Sequence, residues 1–208
     1  MGQFQDLAAL NVDDAQQPAA VQRRGEVERT VVLFTSDHGE MNGDHGLLYK
    51  SNFLRPAVQV PLILRMPAAL GCGRADSLYH GLVESIDIGP TLVELAGGSI
   101  DYQQFGRSLR PALRDPFVRV RDEVLAELYE EVMLADGSWK VALNARGEVY
   151  LLFDLKADPH ETRNLAGLRQ VATVEAELRL RLLQRVYRTQ VCLPRKRAAG
   201  AVAATRAG

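Results

Sequence analysis

The spacing of apolar positions changes several times along the chain, and each change predicts a different element. TVVLFT (30–35) is a short unbroken run rich in β-branched residues, which predicts a strand covered on both faces within a parallel or mixed sheet. SDHGEMNGDHGLLYK (36–50) breaks that run with three glycines and alternating polar groups, and reads as a loop. VPLILR (60–65) is a second apolar strand, reached through a partly helical linker. SIDIGPTLVELAG (85–97) has helical spacing at Ile88, Leu92 and Leu95 or Ala96, with Ser85 or Asp87 as cap and Gly97 as stop. Beyond FGRSLRPAL, four short strand patterns follow: 123–129, 131–136, 139–144 and 149–155. Turn signals at Asp136–Gly137 and Arg146–Gly147 separate members of this set, so an antiparallel sheet is expected. After the turn-rich KADPHETRNLA, Val171, Val174, Leu178, Leu182 and Val186 mark an amphipathic helix over 170–189.

The two ends carry less pattern. Residues 1–29 read as residual helix and linker, interrupted by Pro18 and Gly25, and 191–208 as a disordered tail with little to bury. Between them, 30–115 reads as part of an α/β domain and 116–190 as a small α+β subdomain, antiparallel sheet plus helix.

Composition narrows the partners rather than the fold. The 208 residues are 47% apolar and 25% charged with a formal net charge of −1, which implies neither a nucleic-acid nor a membrane partner. Cys72 and Cys192 form no CxxC pair, and no apolar run approaches the ~18 residues of a membrane span. The N-terminus has no basic region before an apolar core, so cytoplasmic is the default location.

The chemistry concentrates in the first loop. Open α/β sheets place ligands at such post-strand loops. Asp37 offers a hard oxygen and His38 a ring nitrogen, together suited to a divalent cation, and Gly39 would allow a sharp turn that aims both at one ion. Lys50, thirteen residues after Asp37, returns a positive charge able to clamp an anion beside that ion. Asp44 and His45 are candidates to orient the loop from behind. By residue type alone, the same Asp-His pair also fits a turn or cap, and the lysine a solvated charge.

The order of motifs weighs in favour of the site. TVVLFTSDHGEMNGDHGLLYK followed by VPLILRMP resembles the sulfatase signature of Ser-Asp-His-Gly, Gly-Asp-His-Gly, a lysine and a Val-Pro-Leu strand. GLVESIDIGPTLVELAGG, FGRSLRPAL and WKVALNARGEVYLLFDLKADPHETRNLA resemble later elements of that family in the same order, so the resemblance spans about residues 30–190. It implies a partial sulfatase/alkaline-phosphatase-like mixed sheet with a small C-terminal subdomain. It also implies that Asp37 and His38 are metal ligands, for Ca²⁺ first and Mg²⁺ or Mn²⁺ as alternatives, and that Lys50 contacts sulfate. The activity implied is hydrolysis of sulfuric esters, on a small molecule or a glycan; related enzymes act on phosphate or phosphonate monoesters.

One part of that family's machinery is absent from the sequence. Sulfatases use a formylglycine nucleophile made within Cys/Ser-x-Pro-x-Arg. Here CLPRKR (192–197) has Lys196 where the arginine belongs, and GCGRAD around Cys72 lacks both Pro and Arg in register. Only 36 residues precede Asp37, and within them NVDDAQQ resembles the family's helix before this strand rather than an acidic metal pair. The expectation is therefore a C-terminal portion, inactive alone, with a complementing chain or oligomer covering the open sheet, or else a non-catalytic remnant.

Overall fold

The computed structural model describes residues 4–9, 19–71 and 77–190. Among these, two four-stranded sheets carry the architecture. The first contains β1 (Phe4–Ala9), β2 (Val32–Thr35), β3 (Gln59–Arg65) and β4 (Ser77–Tyr79) in the order β2-β3-β1-β4. It is mixed: β3 runs antiparallel to β2 and parallel to β1, and β4 is antiparallel to β1. The second contains β5 (Val124–Leu128), β6 (Glu131–Ala135), β7 (Trp139–Leu143) and β8 (Val149–Asp154), an antiparallel meander in sequence order. Helices α1 (Ala19–Arg23), α2 (Arg55–Val58), α3 (Ile88–Leu95), α4 (Arg110–Arg114) and α5 (Ala172–Gln190) complete the fold. None of the described helices is long and apolar enough to cross a membrane.

Three expectations need correction. Within residues 1–29, expected as residual helix and linker, Phe4–Ala9 is a strand. Its backbone pairs along β3 from Phe4–Gln59 to Ala8–Ile63, so ladder hydrogen bonds outweigh a helical propensity that is only a weak prior. α1 does fall between Pro18 and Gly25, whereas NVDDAQQ lies outside the described residues, as do Cys72 and the tail from 191. TVVLFT is not buried on both faces: among the described residues β2 pairs only with β3, and Phe34 is 59% exposed. Ahead of α3, Glu84 caps the 3₁₀ turn Ser85–Asp87, its side chain accepting from the turn while Asp87 accepts from the Glu84 amide; Asp87 stands at the N-cap position of α3, as expected, but its side chain makes no cap bond to that helix. Thr91 is buried there while Leu92 faces outward, because the Thr91 hydroxyl donates to Asp87 O and accepts from Leu109 N.

The second sheet follows its pattern closely. Period-2 alternation sends Met133, Ala135 and Ala142 to one face and Leu134, Val141 and Leu143 to the other. The latter face packs against Leu178 and Leu182 of α5, each contributing about 1.5–3 kcal/mol of burial. The former packs against Phe53 and Val58, the segment that follows the candidate loop. A third cluster, Leu62, Leu64, Tyr79, Val83, Leu109 and Leu113, fills the space between β3, β4 and α4.

Candidate functional site

Register decides where the loop sits. β2 runs antiparallel to β3, from Val32 opposite Arg65 to Thr35 opposite Leu62 at mid-strand, so the loop after β2 and helix α2 before β3 emerge at the same end of the sheet. They touch there through backbone: Gly39 N donates to Ala57 O at 2.9 Å. A Cβ on Gly39 would lie 1.9 Å from Pro56 O, so this glycine serves a close approach and not a left-handed turn. That corrects the role expected for it.

The loop brings Asp37, His38 and Lys50 together. The His38 ring lies with Nδ1 2.8 Å from Gly39 O. A carbonyl only accepts, so Nδ1 carries the proton and Nε2 keeps its lone pair for a partner. Lys50 Nζ donates to that Nε2, and Asp37 Oδ2 stands 3.6 Å from the same atom. Ser36 Oγ donates to His38 O at 2.8 Å and fixes the backbone between the two side chains. Asp37 is 85% exposed at its side chain and His38 25%, so both remain reachable.

The rest of the loop holds Lys50 in place. Met41, fully buried, donates its amide to Tyr49 O at 2.9 Å, and Gly43 N donates to Leu47 O at 2.9 Å. Asn42, His45, Tyr49 and Ser51 all have positive φ, an uncommon conformation for side-chain-bearing residues. His45 and Asp44 are exposed in a short 3₁₀ turn, and among the described residues neither hydrogen-bonds to Asp37, His38 or Lys50. The structure thus gathers three of the candidates and leaves His45 outside.

Toward a cation, the gathered residues could offer two donors. Asp37 and His38 offer one oxygen and one nitrogen that can face a common ion, and the protonated Nδ1 presents Nε2 in the correct tautomer. No group of three or more His, Cys, Asp or Glu converges among the described residues. Lys50 occupies the open edge of His38, so a cation there would have to displace its ammonium group toward a bound anion.

Two buried networks outside the loop had no visible signal in hydropathy. Lys140 on β7 pairs with Glu161, and both side chains are at least 97% buried. Burial lowers the Lys140 pKa below that of a free lysine, with Glu161 opposing that shift. Arg121 sits between Glu84 at 3.0 Å and Asp87, joining the α3 end of the first layer to the strand leading into β5. Only the Glu-x-x-Asp spacing of a capping box, Glu84 to Asp87, could have disclosed part of this.

A family model described as N-sulphoglucosamine sulphohydrolase, C-terminal, matches residues 43–188. The multifunctional alkaline phosphatase superfamily protein PehA of Trinickia caryophylli is 33% identical over 171 residues, 72% of this chain and 32% of that protein. The choline-sulfatase of Rhizobium meliloti (strain 1021) is 36% identical over 149 residues, 67% of this chain and 28% of that protein. Among solved structures, the phosphonate monoester hydrolase of Agrobacterium radiobacter superposes with a TM-score of 0.66 at 29% identity, covering 82% of this chain and 37% of that one. A protein solved with its substrate D-glucosamine-2-N,6-O-disulfate has the same fold, with a TM-score of 0.72 at 24% identity over 85% of this chain and 37% of that one. The chain spans about a third of the length of the relatives it matches. It belongs to the sulfatase family of the alkaline phosphatase superfamily, and the stretch it shares with the family model is the C-terminal one.

Proposed function

We propose that this chain contributes the cation-and-anion side of a sulfuric-ester hydrolase site. Asp37 and His38 hold a divalent cation, Ca²⁺ in first place and Mg²⁺ or Mn²⁺ as alternatives, and Lys50 contacts the ester's sulfate oxygens. The observation that carries this reading is the convergence of Asp37 and Lys50 on one nitrogen of His38. A cation held there would supply Lewis-acid stabilisation of the charge that builds on sulfate oxygens. Lys50 adds a point charge to the same oxygens, and the Gly39 carbonyl keeps the His38 ring oriented with Nε2 forward.

The 208 residues contain no Cys/Ser-x-Pro-x-Arg, so the nucleophile comes from another segment or a complementing chain. Exposed Phe34, Leu48 and Tyr49 around the site favour coverage by such a partner. The substrate is a sulfate ester of a small molecule or a glycan. A phosphate or phosphonate monoester is the second reading, supported by the likeness to the phosphonate monoester hydrolase.

Calorimetric titration of Ca²⁺ into the chain, with Asp37→Ala as control, tests the cation half. Binding lost in the variant is the expected result; equal heats from both proteins would overturn the reading. Turnover of p-nitrophenyl sulfate against p-nitrophenyl phosphate, in the presence of a nucleophile-bearing partner, separates the two substrates. Cation binding with turnover of neither would identify a non-catalytic module.

A further inference from the structure

We propose that the buried Lys140–Glu161 pair is a positioning device for Lys50, through which the C-terminal sheet sets the geometry of the anion-contacting lysine. This rests on the reading of Lys50 given above. Lys140 Nζ donates to Phe53 O at 2.9 Å, and Glu161 Oε2 accepts from Arg55 N at 2.7 Å. Both bonds go to the backbone of the segment that begins three residues after Lys50. The same segment is held from its other side by Gly39 N on Ala57 O. Phe53 itself is buried against Val124, Met133 and Ala142.

Backbone strain shows why a clamp is needed. Tyr49 and Ser51, the two neighbours of Lys50, have φ of 66° and 79°. Such conformations persist only where surrounding contacts over-determine them. Upstream the fixing contact is Met41 N to Tyr49 O; downstream it is the pair of bonds at Phe53 and Arg55. Glu161 has φ of 57° as well, in a turn braced by Asp158, whose carboxylate accepts from Arg163 N at 2.8 Å and from the Thr162 hydroxyl at 3.0 Å. The turn thus holds an unfavourable conformation that directs a carboxylate into the interior, onto the segment after Lys50. Arg55's guanidinium is the other charge facing the pair, and it opposes protonation of Lys140.

The purified 208-residue chain supports the test. Lys140→Met/Glu161→Leu removes both charges together, the change that leaves global stability least affected, and deletes both clamp bonds. Amide hydrogen exchange over 53–58 should accelerate about tenfold or more, with β5–β7 unchanged. Affinity for inorganic sulfate, measured with saturating Ca²⁺, should fall to that of Lys50→Ala, while Ca²⁺ affinity stays at the parent value. A purely structural pair would instead loosen β7 and the turn along with 53–58 and leave sulfate affinity intact.

Should the double variant not fold, Glu161→Gln and Glu161→Met decide the matter. Both leave Lys140 without its charge partner, but only the glutamine keeps an acceptor for Arg55 N. Retained protection in the first and about tenfold faster exchange in the second is the expected contrast. Equal behaviour of the two overturns the proposal. A parent chain that binds neither Ca²⁺ nor sulfate would refute the functional reading, and the exchange data would still decide whether the clamp exists.

Discussion

Replacing Arg121 by Met puts the junction between the two layers under direct test. Arg121 is 1% exposed at its side chain, with Glu84 3.0 Å from Nη1 and Asp87 accepting from Nε at 2.8 Å. Those carboxylates are themselves buried, and their other bonds hold backbone in both layers: Leu125 N on Glu84, and Arg107 N and Glu84 N on Asp87. Arg185 is the remaining cation nearby, at 3.9 Å from Glu84. Removing the guanidinium therefore leaves two buried carboxylates almost unopposed, at a cost of about 3–5 kcal/mol. Against a typical stability of about 5–15 kcal/mol this is large enough to read from a urea transition.

The same variant has a distinctive pH dependence. Burial raises the Glu84 carboxyl above its ordinary 4.5, against the pull of Arg121. Without Arg121 it rises further. For an acid raised in the folded state, protonation favours folding, so its stabilising contribution is complete below 4.5 and disappears as pH climbs through the folded value. The gap between parent and Arg121→Met should therefore be widest near neutrality and narrow toward 4.5. A loss under about 1 kcal/mol at both pH values would refute the argument, since that is the scale of a solvated surface pair.

Two further outcomes follow from the same structure. Gly39→Ala introduces a methyl against the backbone carbonyl of Pro56 and should cost about 1–3 kcal/mol in denaturant unfolding; it should also weaken the Ca²⁺ binding proposed for Asp37 and His38. Asp136→Asn should cost about 1 kcal/mol near neutrality. Burial raises the Asp136 carboxyl, but amides of Trp139 and Ser138 and the Arg181 guanidinium outweigh it and hold the group below 3.8. Its contribution is present above 3.8 and lost as pH falls through the depressed value, so thermal melts of parent and variant should converge in acid.

The sequence by itself determined the elements whose pattern is local. The β5–β8 meander and α5 were legible because alternation and helical spacing report which face of each segment is apolar, and Gly137 and Gly147 adopt the positive φ their turns require. That Asp37, His38 and Lys50 lie side by side was legible through motif order. Tertiary structure decided what depends on partners distant in sequence. Phe4–Ala9 became a strand because β3 offered it a ladder, and Val32–Thr35 became an edge because among the described residues only β3 pairs with it. Gly39 acts through Pro56, and Lys140 through Phe53 and Glu161, 87 and 21 residues away in sequence. A buried charge, a backbone close approach and an edge strand are set by what the folded chain brings alongside, and no periodicity along the chain encodes that neighbour.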